Sequence, residues 1–118
     1  MSDAPEPTEI RLKRAERVLE IRFADGASFA LPAEYLRVES PSAEVQGHSP
    51  DQRQLVTGKQ HVGITHIEPN GHYAIRISFD DGHATGIYSW DYLHRLGREM
   101  DYRWAAYLRA LEAAGATR

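Results

Sequence analysis

Three groups of residues in this sequence could do chemistry. Six histidines come first: His48, His61, His66, His72, His83 and His94. Neutral imidazole is the commonest metal ligand, but their spacing matches no ligand motif. His61 and His66 flank a predicted strand and point to opposite faces. His72 borders a turn, and His94 sits on a short helix, exposed or near its C-terminal end. These four read as structural. His48 and His83 are the candidates. His48 shares a polar loop with Glu44, Ser40 and Ser42, and His83 follows Asp80-Asp81-Gly82. Folded together they would offer two imidazoles and one or two carboxylates, a set suited to iron, zinc or manganese. The alternative leaves His48 and Glu44 capping loop backbone groups, with His83 an exposed hairpin residue. Ser42 as a nucleophile with His48 as base lacks an orienting acid and an oxyanion hole. The third group is aromatic. Tyr88, Trp90 and Tyr92 could form a partner-binding face, because Trp and Tyr dominate such patches. The competing reading has Trp90 covering a sheet.

Other chemistry is excluded by absence. There is no cysteine, which removes disulfides, thiolate zinc sites, iron–sulfur ligation and cysteine nucleophiles. No phosphate-binding glycine loop, nucleophile elbow, H-E-x-x-H or EF-hand loop occurs. Fourteen Lys+Arg against seventeen Asp+Glu leave a net charge of −3. That balance argues against a nucleic-acid or membrane-surface binder, which needs a basic excess. No apolar run approaches the ~20 residues of a membrane span. The acidic, Pro-bearing start does not read as a signal peptide, so a cytoplasmic location and a bacterial source are expected.

These side chains need a scaffold, and 118 residues allow one domain. A solvated tail is expected over 1–8, the domain over 9–115 and a short tail over 116–118. Alternation predicts strands around Ile10–Leu12, Val18–Phe23 and Ser28–Leu31, then one or two helical turns over Ala33–Val38. A polar loop of about 20 residues follows, a length that in compact domains usually marks function or disorder. It carries Ser40, Pro41, Ser42 and Gly47. Val62, Ile64 and His66 are expected on one face of the next strand, followed by Tyr73–Phe79 and Ala84–Tyr88. Asp25-Gly26 and Asp81-Gly82 read as hairpin turns with two positive-φ positions. Ser89 is a candidate N-cap for a helix over Trp90–Leu96, ended by Gly97. A last helix to Ala114 carries Met100, Trp104, Leu108 and Leu111 at core spacing. The expected fold is α+β, with about six strands in antiparallel hairpins, two short helices and a C-terminal α-helix.

The plan occurs twice. Phe23, Asp25-Gly26 and Tyr35-Leu36 are echoed by Phe79, Asp81-Gly82 and Tyr92-Leu93. Each copy reads strand, Asp-Gly turn, strand, short helix. A true repeat predicts one shared sheet, with the first loop close to Asp81–His83. Chance similarity of two Asp-Gly hairpins is the alternative.

The stretches Leu31–Val38, Ser40-Pro41-Ser42-Ala43-Glu44-Val45, Gly47-His48, Asp81-Gly82-His83 and Gly86–Leu93 together resemble the gamma-butyrobetaine-hydroxylase-like N-terminal domain family. The resemblance spans Thr8 to Leu111. In the eukaryotic hydroxylases this domain precedes an iron- and 2-oxoglutarate-dependent catalytic domain and carries zinc on three cysteines and a histidine. The resemblance puts Ser40, Ser42 and Val45 where the thiolates stand, and the histidine near His83. It therefore implies a zinc module without its thiolates, unless Glu44 and His48 rebuild a site. Related domains fused to iron–sulfur assembly ATPases imply an accessory role. The expectation is a non-catalytic accessory or interaction domain with a protein partner, iron or zinc being the candidate metals. The alternatives are a small metal-dependent enzyme using Glu44, His48 and His83, or a structural adaptor using Tyr88, Trp90 and Tyr92.

Overall fold

The computed structural model describes residues 5–42, 45 and 55–118. Its order is β1 (Pro7–Lys13), β2 (Val18–Phe23), β3 (Ser28–Pro32), α1 (Ala33–Val38), β4 (Ile64–Asn70), β5 (Ala74–Phe79), β6 (Ile87–Ser89), α2 (Trp90–Arg98) and α3 (Met100–Ala114). This is the expected α+β arrangement. The strands form two antiparallel sheets, β1-β2-β3 and β4-β5-β6. The single shared sheet expected from the repeat is therefore corrected: each unit keeps its own three-stranded meander. The two sheets share one core. Leu19, Ile21, Phe23 and Leu31 meet Ile64, Ile75, Ile77, Phe79 and Tyr88 there, closed by Tyr35, Leu36, Leu93 and Leu96. Each fully buried side chain of this size contributes ~1.5–3 kcal/mol.

The repeat is real, and the backbone repeats in detail. In β1, Pro7 faces Phe23 and Glu9 faces Arg22, with an irregularity between. In β4, Ile64 faces Phe79 and His66 faces Ser78, irregular at the same place. The threonine at each irregularity bonds the facing strand: Thr8 Oγ1 to Arg22 O at 3.4 Å and Thr65 Oγ1 to Ser78 O at 3.1 Å. This bulge turns His66 to solvent, while Val62 and Ile64 stay buried. The three were expected to share a face. An extra residue in a strand reverses the side that follows it. Ala24 N–H donates to Glu6 O and Asp80 N–H to Gly63 O, both at 2.9 Å.

Both hairpin turns are also alike. Gly26 and Gly82 each sit at φ +91, while their aspartates do not have positive φ. Phe23 N–H bonds Ala27 O at 2.8 Å and Phe79 N–H bonds His83 O at 2.9 Å. The loops are thus three residues long, with one left-handed glycine, rather than two-residue turns with two positive-φ positions. Each aspartate Oδ1 accepts the N–H two residues on: Ala27 at 2.9 Å, His83 at 3.0 Å. This local bond is what selects Asp at that position.

The units then exchange contacts. Tyr35 of the first unit donates its hydroxyl to Leu96 O at 2.7 Å, and Tyr92 of the second donates to Glu39 O at 2.5 Å. Asp25 Oδ2 accepts from His94 Nε2 at 2.9 Å, and Asp81 Oδ2 accepts from Arg37 Nε at 2.9 Å. Residue i meets j and its counterpart reverses the pairing, the pattern of an isologous dimer interface within one chain. Each helix docks on the other unit's turn.

Outside the repeat, α3 buries Tyr107 and Leu111 against Val38. Leu108, expected in that stripe, is 40% exposed. Gly115 closes α3 in the left-handed conformation at φ 66. Residues 116–118, expected as a tail, are docked: Ala116 N–H donates to Leu111 O at 2.9 Å, and Arg118 reaches Glu34. Among the described residues no helix is long and apolar enough to cross a membrane.

Candidate functional site

The site lies where the end of α1 meets the second hairpin. Backbone topology decides this, because the reciprocal exchange puts the residues after α1 against residues 81–86. Ser40 Oγ lies 2.9 Å from His83 Nε2, and both side chains are buried. Ser42 N–H donates to Ser40 Oγ at 3.3 Å, and Ser42 Oγ lies 2.7 Å from Thr85 Oγ1. Tyr88 is completely buried beneath them and donates its hydroxyl to Leu36 O at 2.5 Å. Burial pushes the ionisation of that hydroxyl well above its ordinary range.

An ion cluster borders this pocket. Asp81 Oδ2 receives Arg37 Nε at 2.9 Å and Lys59 Nζ at 2.6 Å. Burial alone would raise the Asp81 carboxyl, but Lys59, the His83 N–H and Arg37 together hold it down at about 2. Among the described residues, Arg37 Nη1 is buried with no hydrogen-bond partner. Farther along, Glu39 takes Arg103 Nη1 at 3.1 Å, and the Arg103 guanidinium lies 5.9 Å from the Tyr92 ring centre.

Comparing the two units shows what is special here. Phe29 of β3 packs over Gly97 of α2, where a Cβ would overlap the ring. The counterpart positions are Gly86 and Ser40. There a Cβ on Gly86 would lie 2.6 Å from Ser40 Oγ and 3.1 Å from Tyr88 Cε1. One unit fills the junction with an aromatic ring against glycine. The other leaves it to a hydroxyl and an imidazole. Gly97 was expected to end α2; instead it lies within the helix, which runs to Arg98. Its role is close approach, not a left-handed turn.

The candidates therefore fare differently. Glu44, His48 and Gly47 lie outside the described residues. His83 is 6% exposed, which corrects its reading as an exposed hairpin residue; it meets Ser40, with Ser42 next to it and Pro41 half-buried. Tyr88 has no exposed surface and so is not part of any partner face. Trp90 and Tyr92 are half-buried. Trp90 Nε1 donates to His72 O at 2.9 Å, beside Tyr73, which is 61% exposed. His61 and His72 are exposed. His94 is tied to Asp25 and packs edge-on against Phe23 and Phe29. Sequence reasoning missed Arg37, Lys59 and Thr85. Arg37 had a signal: it occupies the repeat position of His94. Lys59 and Thr85 had none.

A family model described as gamma-butyrobetaine hydroxylase-like, N-terminal, matches residues 10–94. The chain belongs to this family. Three solved structures resemble this gamma-butyrobetaine hydroxylase-like N-terminal domain. A protein solved by NMR is 49% identical with a TM-score of 0.86, covering 100% of this chain and 88% of its own. A second NMR structure is 47% identical with a TM-score of 0.85, covering 98% and 90%. A crystal structure from Acidithiobacillus ferrooxidans, described as a protein of unknown function of the DUF971 family, is 46% identical. Its TM-score is 0.66, and the match covers 78% of this chain and 92% of that one. No curated protein matches.

The zinc set implied by the resemblance can be tested on these side chains. Ser40, Ser42, Val45 and His83 are all buried, and Ser40 bonds His83 directly. Yet zinc takes thiolate, imidazole or carboxylate, and this set offers two hydroxyls, a hydrocarbon and one imidazole. It does not fit zinc. Among the described residues no group of three His, Asp or Glu side chains could hold a metal ion.

Proposed function

We propose that this domain is a non-catalytic interaction module whose polar pocket is a structural pin. The observation that carries this reading is the buried Ser40–His83 bond at 2.9 Å. A hydroxyl with no exposed surface is poorly placed to meet a substrate. The bond ties the segment after α1 to the second hairpin, where a metal would otherwise cross-link them. A protein partner is the expected ligand, and Trp90 with the exposed Tyr73 is the face offered to it, while Tyr92 is engaged at Glu39 O.

Two measurements test this. In urea unfolding, Ser40→Ala and His83→Ala each lose about 1–2 kcal/mol, and the double variant loses far less than their sum. Iron and zinc remain substoichiometric in untagged protein, with or without His83. Stoichiometric metal that disappears in His83→Ala would instead favour the Glu44, His48 and His83 site, as metal-binding module or small enzyme. For the face, affinity capture with Trp90→Ala is expected to lose partners that wild type retains. Identical partners from a folded variant would remove Trp90 from the face.

A further inference from the structure

A second site lies away from this pocket, between α1 and α3. Glu34 is 7% exposed. Its counterpart in the second unit, Asp91, is exposed and pairs with Arg95 of its own helix at 3.3 Å. Glu34 makes no such pair: the residue four on is Val38, and Arg37, three on, is engaged by Asp81. A carboxylate this deeply buried requires a cation brought from elsewhere. Arg118 supplies it in a two-pronged contact: Nε to Oε2 at 3.1 Å and Nη2 to Oε1 at 2.7 Å. The same guanidinium lies 5.4 Å from the centre of the Trp104 ring. Tyr35 meets that ring edge-on, at 6.2 Å and 80°. The surrounding cavity of about 270 Å³ also has Met100 and Asp101 in its wall.

This arrangement has the chemistry of a guanidinium receptor. A planar carboxylate matches the guanidinium fork, and an aromatic face attracts the cation. Glu34 is the carboxylate that meets the Arg118 charge, and Asp101 adds a second acidic residue to the cavity wall. The receptor and its occupant also differ in how they are held. Glu34 is packed between α1 and α3, whereas the Arg118 side chain is 42% exposed. Arg118 also lies beyond residues 10–94, the segment the family model matches.

We propose that the Glu34–Trp104 slot is a binding site for an arginine side chain of a protein partner, filled by Arg118 within this chain until such a partner displaces it. Tethering gives Arg118 an effective concentration of order millimolar. Free arginine therefore competes poorly, and a partner must add contacts around the slot. The slot shares no residue with the Ser40–His83 pocket or the Trp90 face, so this proposal and the preceding reading fail separately.

The test titrates N-acetyl-arginine amide into the full chain and follows the Trp104 indole N–H by NMR. The chain has two tryptophans, so Trp90 is an internal control. In Arg118→Ala the Trp104 signal is expected to shift saturably, at a half-saturation at least tenfold lower than in wild type. Arg118→Lys is expected to fall between them. Adding Glu34→Gln to Arg118→Ala should abolish the shift while the rest of the spectrum stays folded. N-acetyl-lysine amide should bind at least tenfold more weakly than the arginine probe. No saturable shift in either Arg118 variant would overturn the site. A shift that survives Glu34→Gln would overturn the carboxylate's role, and equal lysine binding would overturn selectivity for guanidinium.

Discussion

Gly97→Ala is expected to destabilise the domain by about 2 kcal/mol, as overpacking of a tight contact does. On helix propensity alone the change should stabilise, since alanine exceeds glycine by about 1 kcal/mol within a helix. Packing reverses the sign. The new methyl would overlap the near end of the Phe29 ring. That ring is also hemmed in by Phe23 at 6.0 Å and His94 at 5.6 Å between centroids. A double-variant cycle separates the two effects. In a Phe29→Ala background, where the obstacle is gone, Gly97→Ala should become stabilising by up to about 1 kcal/mol. Urea unfolding midpoints of the four proteins decide it. A stabilising Gly97→Ala in the wild-type background would show that the ring yields at little cost.

Asp81→Asn should cost about 1 kcal/mol at neutral pH, the charge interaction being weakened by solvent screening, with a definite pH profile. The Asp81 carboxyl titrates at about 2 in the folded protein against an ordinary 3.8. A lowered folded value means that ionised Asp81 favours folding. The contribution is complete above the unfolded value near 4 and fades as pH falls toward about 2. Asparagine keeps an oxygen to accept the His83 N–H, so the substitution removes mainly the charge shared by Arg37 and Lys59. Unfolding free energies of wild type and Asp81→Asn should differ at pH 7, draw together below pH 4 and coincide only below pH 2. A difference that stays constant from pH 7 to pH 3 would mean that something other than the carboxylate charge was lost.

Much of the fold was legible because it is written in local chemistry. Alternation along Val18–Phe23 and Tyr73–Phe79 marks strands with one buried face. Asp-Gly marks the turns because the aspartate bonds the N–H two residues on and the glycine accepts positive φ. Ser89 caps α2, accepting the Tyr92 N–H at 3.1 Å. The bulge at Ile64–His66 was not legible. Nothing in the composition of a strand announces an extra residue, and one such residue leaves His66 facing solvent.

The candidate site was legible in part, for a related reason. Ser40 and His83 carry polar groups that attract attention in any sequence, and the repeat pointed to their proximity. Arg37, Lys59 and Thr85 look like ordinary surface residues until the chain is folded. The pairing of Glu34 with Arg118 is equally silent, since the two stand 84 residues apart in the chain.

By itself the sequence determined the α+β class, the two hairpin units, the absence of thiolates and the family. These depend on periodicity, turn chemistry and residue identity, all of which act over a few residues or none. Only the tertiary structure decided that the units keep separate sheets and exchange their helices. It alone showed that one junction holds Phe29 against Gly97 while the other holds Ser40 against His83. Those outcomes depend on which surfaces meet across some fifty residues of chain. Shape and burial at such long-range contacts are properties of the packed whole, and no local pattern encodes them.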